Sequence, residues 1–181
     1  FSQSRYDWAN MLPDYRYPIA ATQKLKKFMY YISRSVPVKI NFSDMARDLE
    51  LNRDELPKYL EYLEKAELVS VLRMKANGDA ILRKMDKLYL QNSNMSYVLS
   101  GENPDTGNAR KTIFYCWTKQ KYDTVESPVS DFEIDGKTFE VGGRNKGKKQ
   151  ISNLEDAYVV KDTIEYVFDN QVPLWMFGFL Y

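Results

Sequence analysis

The chain has 181 residues, enough for one domain or two small ones, and with 44% hydrophobic and 14% aromatic residues it is not disordered throughout. Lysine plus arginine (26) nearly cancel aspartate plus glutamate (25), so bulk charge neither demands nor excludes nucleic acid. Histidine is absent and cysteine occurs once, at Cys116, which excludes a Ser-His-Asp triad, a Cys-His dyad, most zinc centres and an internal disulfide.

The amino end, FSQSRYDWANML, lacks the apolar core of a signal peptide, and no run of eighteen apolar residues follows, so no membrane span is expected. With its lone thiol, this favours a reducing, cytoplasmic setting. The chain begins at Phe1 rather than methionine, from which we expect a preceding segment to have been removed. Residues 1–20 hold aromatics, Pro13 and Pro18 without a sustained period and read as an arm or linker. ATQKLKKFMYYISRSVP then sets Leu25, Phe28, Met29 and Ile32 on one helical face and stops at Pro37. NFSDMARDLEL gives a second helix with Phe42, Met45, Ala46 and Leu49 apolar. In NRDELPKYLEYLEKAEL, Asn52 and Glu55 have the spacing of a capping box, and Leu56, Tyr59, Leu60 and Leu63 form the buried stripe. Pro57 falls late for a helix start and predicts an irregular first turn.

LVSVLRMKANGDAILRKMDKLYL contains two β-rich runs around Asn77-Gly78, a strong hairpin signal. Three helices followed by a hairpin is the order of a winged helix-turn-helix, here over residues 21–90. Beyond Asn92, SNMSYVL reads as a short helical or irregular piece and GENPDTGN as a surface loop. ARKTIFYCWTKQKY is an amphipathic helix with Ile113, Phe114 and Trp117 inward. VSDFEID and KTFEVGG are strands around Asp135-Gly136, KGKKQISNLEDA is helical, and AYVV is a buried strand. VPLWMFGFLY closes the chain, with Pro173 suited to a helix's first position or a strand's start. A helix, a three-stranded meander, a helix and a strand is the core order of the PD-(D/E)XK nucleases. The expected fold class is therefore α+β: a winged helix-turn-helix followed by a restriction-endonuclease-like α/β domain over residues 91–181.

Asp131 and Glu140 lie on successive strands joined by a tight turn, the arrangement in which two carboxylates share Mg²⁺, neutralise a scissile phosphate and activate water. Both are the candidate metal ligands. Where nucleases carry Glu-x-Lys the chain reads Glu140-Val141-Gly142, so the lysine is missing; Lys146 is the candidate to reach back across Gly142-Gly143 and complete a catalytic set of Asp131, Glu140 and Lys146. Acid pairs beside a hairpin turn are, equally, ordinary surface features. GGRNKGKK nearly spells a P-loop, but Lys149 stands where a Ser or Thr must hold Mg²⁺. For nucleic acid, the third helix is poorly charged: Arg53, Lys58 and Lys65 face Asp54, Glu55, Glu61 and Glu64. The wing is better, with Arg73, Lys75, Arg83, Lys84 and Lys87 as candidates for backbone contact.

KLYLQNSNMSYVL, the Asp-Phe and Phe-Glu-Val-Gly-Gly-x-Asn-Lys-Gly-x-x-Gln-Ile string, and the closing VPLWMFGFLY resemble the carboxy-terminal half of a family of bacterial and archaeal AAA-type ATP-binding proteins. In that family an ATPase is followed by a winged helix and a domain of unknown function related to PD-(D/E)XK nucleases. The resemblance spans residues 21–181 and implies that residues 1–20 are a linker from an absent ATPase module, which alone would bind ATP. The family's Arg-Glu-Thr-Phe-Phe appears here as Arg110-Lys111-Thr112-Ile113-Phe114, so an acid of the nuclease site has become Lys111. The reading is a regulatory or substrate-docking module with a degenerate, non-catalytic nuclease-like domain. Its rivals are an active Mg²⁺-dependent nuclease using Asp131, Glu140 and Lys146, and a DNA-binding winged helix. Implied partners are nucleic acid, the chain's own ATPase module and a second copy of the chain.

Overall fold

In the computed structural model, Leu25, Phe28, Met29 and Ile32 are each fully buried on one face of α1 (Ile19–Ser35), as their spacing of three and four requires. The structure describes residues 19–74, 86–100, 105–147 and 151–180; residues 1–18 of the arm, the first half of the GENPDTGN loop, and the Asn77-Gly78 turn with Lys75, Arg83 and Lys84 lie outside them, while residues 19–20 begin α1 and 106–108 begin the helix that follows the loop. A short strand β1 (Val38–Lys39) leads into α2 (Phe42–Leu49), whose orphan amides at Ser43 and Asp44 are accepted by the Asn41 side chain. Asn52 caps a 3-10 turn (Arg53–Glu55) by accepting from Asp54 N, and α3 (Leu56–Lys65) starts only after it. Pro57 thus falls in the first turn of α3, where no amide is needed. The capping box does not close as expected: the Glu55 carboxylate turns outward to Lys24 Nζ at 2.7 Å.

Strands β2 (Val69–Leu72) and β3 (Lys87–Leu90) pair antiparallel, and β1 joins the far side of β3, giving the order β1-β3-β2. After α4 (Asn94–Ser100) and α5 (Thr106–Thr118) come β4 (Thr124–Glu126), β5 (Phe132–Ile134), β6 (Lys137–Gly142), β7 (Ala157–Lys161) and β8 (Gln171–Pro173). These five form one sheet in sequence order, an antiparallel meander to β6 followed by β7 and β8 running parallel to it. The protein is α+β. The β5–β6 turn places Asp135 at φ 50° and Gly136 at φ 80°, the two positive values that a type I′ hairpin needs. Two expectations differ. Residues 151–156 are turns and bends rather than helix, and Pro173 ends β8 and caps the 3-10 helix Leu174–Phe179.

Two apolar clusters share the β2–β3 ribbon. Val69, Leu88 and Leu90 pack with the α1–α3 residues, while Leu72 and Tyr89 face Phe114, Tyr115 and Phe132. The alternation of β-strand side chains is thus used on both faces, which is why these strands read as nearly unbroken apolar runs. Helix α5 fills the space between the ribbon and the second sheet. Tyr115 Oη donates to Val71 O at 2.9 Å and the Cys116 thiol to Leu90 O at 3.2 Å on one side. On the other, the Phe114 ring lies 5.0 Å from Phe132 and 4.7 Å from Phe177. A parallel bridge between Met74 and Glu126 links the two sheets.

Burial pushes the Cys116 thiol from its ordinary value of 9.0 up to about 11, and burial likewise holds the phenols of Tyr89 and Tyr115 well above their usual range. A raised acid gives stability that is complete below its unfolded value and is lost as pH climbs through the folded one. The unfolding free energy from denaturant titrations should therefore fall between pH 9 and about 11, by roughly 2–3 kcal/mol from Cys116 at the upper limit. At neutral pH a disulfide-exchange reagent should titrate Cys116 only after unfolding; prompt reaction of the native chain would contradict the burial.

Candidate functional site

Continuing the β5–β6 register one step past Phe132–Phe139 brings Asp131 opposite Glu140. Their side chains are then handled separately. Glu140 shares its face of β6 with Thr138, away from Phe139 and Val141, and is 1% exposed. Lys146 Nζ ion-pairs with Glu140 Oε1, and Ser130 Oγ donates to Oε2. Asp131 Oδ2 accepts the amide of Val141 at 3.0 Å, and Oδ1 meets Lys111 Nζ at 2.5 Å. Lys111 comes from α5, the helix packed on the Phe139 and Val141 face. Each of the four carboxylate oxygens thus already faces a protein donor.

The double glycine makes this arrangement sterically available. A Cβ on Gly142 would stand 2.5 Å from Lys146 Cγ, so the lysine side chain folds directly over the end of β6 to reach Glu140. A Cβ on Gly143 would stand 3.1 Å from the Arg110 guanidinium carbon, and Arg110 Nε continues to Asp162 Oδ2 at 2.5 Å. Lys146 reaches back across these glycines, whose structural use is the clearance they give two cationic side chains. Lys161 Nζ reaches Arg144 O at 3.4 Å and so joins Arg110, Lys111 and Lys146 in a cluster of cations with Asp131, Glu140 and Asp162.

This donor set suits ammonium better than a divalent cation. Mg²⁺ needs hard oxygen ligands turned toward one point, whereas Asp131 and Glu140 are each turned to their own lysine. Among the described residues no group of three or more Asp, Glu, Cys or His is placed to hold a metal.

The wing candidates divide. Arg73 is exposed and its carbonyl accepts the Glu126 amide at 2.9 Å. Lys87 is drawn inward, its Nζ 2.5 Å from the buried carboxylate of Glu126. It therefore helps to hold the two sheets together, a role that the sequence reading did not assign. Glu126 itself was missed, and the only trace it leaves in the sequence is one acid between a short β-run and Ser127-Pro128. On α3, Lys65 pairs with Glu61 at 2.6 Å, in keeping with the near balance of charge along that helix.

Comparison with known families matches residues 15–106 to one described as Domain of unknown function (DUF8612). The match runs from before α1 to the first residue of α5 and stops short of Asp131 and Glu140. No curated protein and no solved structure matches the chain.

Removing one member of the Lys146–Glu140 pair leaves a carboxylate buried without its ammonium. Lys146→Met should therefore cost about 3 kcal/mol in a denaturant titration, the lower end of the usual range because the lysine is a third exposed. The double substitution Glu140→Met with Lys146→Met should regain most of that loss, since no charge remains uncompensated. A double variant as unstable as the single one would remove the pair as the cause.

Proposed function

The chain belongs to the family described as Domain of unknown function (DUF8612), and from that premise we propose that it is a non-catalytic docking module, a winged helix joined to a degenerate restriction-endonuclease-like domain. The observation that carries the reading is the pairing of Asp131 with Lys111 and of Glu140 with Lys146. Ammonium groups take the positive charge that a phosphodiester-cutting centre would assign to its metal, so the site keeps its electrostatics and loses its Lewis acid. A cluster of cations of this kind suits holding a phosphate chain better than hydrolysing one. Three features support the architecture: the order of three helices and the β1-β3-β2 sheet, the antiparallel meander that turns parallel at β7, and α5 packed across it. In this reading the module regulates or docks substrate for an AAA-type ATPase that supplies ATP hydrolysis, within a bacterial cytoplasm. No helix among the described residues is long and apolar enough to cross a membrane.

One observation favours the active-nuclease reading instead. The Lys146 ammonium lies at Glu140, the neighbourhood that a Glu-x-Lys lysine would occupy. The two readings separate by calorimetry with Mn²⁺. The docking reading expects no saturable heat and no Mg²⁺-dependent cleavage of DNA or RNA; heat that vanishes in Glu140→Ala, or cleavage lost in Asp131→Ala, would establish the nuclease and overturn it. If nucleic acid is the docked partner, its affinity should fall steeply with salt, with about one unit of log–log slope lost for each phosphate-contacting cation neutralised, beginning with Arg83 and Lys84. Salt-independent or absent binding would exclude nucleic acid as that partner.

A further inference from the structure

A cavity of about 400 Å³ lies beside the outer edge of β2, where the C-terminal ends of α3 and α5 come together. Its chemistry begins with the register of the ribbon. Gln91 N donates to Leu68 O at 3.0 Å, so in the alternating antiparallel pattern Ser70 and Leu72 exchange bonds with β3. The amides of Val69 and Val71 then face away from β3, toward the cavity that both residues line. Two contacts on the same edge confirm the direction: Tyr115 Oη donates to Val71 O, and Glu126 N donates to Arg73 O.

Into this space α5 sends Lys119, whose ammonium donates to Ser70 Oγ and Gln91 Oε1 and lies 5.7 Å from the centre of the Tyr115 ring. Ser70 Oγ in turn donates to Gln91 Oε1 at 2.8 Å, which fixes both acceptors. An ammonium has three donors, and two are used here. Desolvation lowers the Lys119 pKa against the opposing pull of Cys116, Glu67 and Glu64. Glu64 and Glu67 line the same cavity.

We propose that this cavity binds a small zwitterion, of the size and charge pattern of a free amino acid. Its carboxylate is received by Lys119 and the edge amides of Val69 and Val71, and its ammonium by Glu64 and Glu67. The volume is at the small end of ligand sites, and the location between two packed units is where such sites occur. An anion alone would meet two repelling glutamates, and a cation alone would meet a preset lysine. Nothing in this site touches Asp131 or Glu140, so it stands or falls apart from the docking function.

The test is calorimetry on the full chain with a panel of free L-amino acids, with acetate and ethylamine as the single-charge controls. Saturable heat is expected with at least one amino acid, and binding of either control about tenfold weaker or worse. Lys119→Met should abolish the heat, and Glu64→Gln with Glu67→Gln should weaken it at least about tenfold; the second variant keeps the test alive if the first does not fold. The idea is overturned if no amino acid binds at millimolar concentration, if acetate binds as tightly as the zwitterions, or if the heat survives both variants.

Discussion

Burial of both faces of one two-stranded ribbon is the constraint on which the molecule depends. Strands β2 and β3 have four residues each, too few to be stable as an isolated hairpin in water. Their apolar side chains alternate between the helical cluster and the Phe114 cluster, so each cluster supplies the cover that the ribbon needs. Helix α5 follows from the same demand. It presents Phe114 to the five-stranded sheet and Tyr115 and Cys116 to the ribbon, and it is buried at five of the seven positions from Thr112 to Thr118.

Electrostatics at the end of β6 obey a related rule. A carboxylate as buried as that of Glu140 is unfavourable without positive charge and hydrogen bonds, and the chain meets the need from within, by laying Lys146 across a glycine and turning in the hydroxyl of Ser130. Asp131 is treated in the same way with Lys111 and a backbone amide. Self-neutralised acids of this kind give a local field that is firm without an added ion, and the Arg110–Asp162 pair beside them follows the same rule.

Much of this was legible in the residues, for identifiable reasons. Helices long enough to repeat their apolar period declared themselves, as Leu25, Phe28, Met29 and Ile32 show for α1, and Asp135-Gly136 announced its turn because few other pairs tolerate two positive φ values. Strands β1, β4 and β8 did not: they are shorter than any period that could reveal them, and β1 is held by β3, a partner distant in sequence. Lysine-rich KGKKQISNLEDA looked helical through propensity alone, yet 151–156 form turns, with Ile151 packed beneath Ala157 and Val159. Acids could be picked out one at a time; that each would find its own lysine depends on the crossing of α5 for Asp131 and on the missing β-carbon of Gly142 for Glu140.

Glu126 closes both stems of residues 75–85 onto the same point. Its amide holds the outgoing strand at Arg73, and its carboxylate holds the returning strand at Lys87. Mechanically this is a clevis, two arms on one pin. A load on either arm is thus shared between the ribbon and β4.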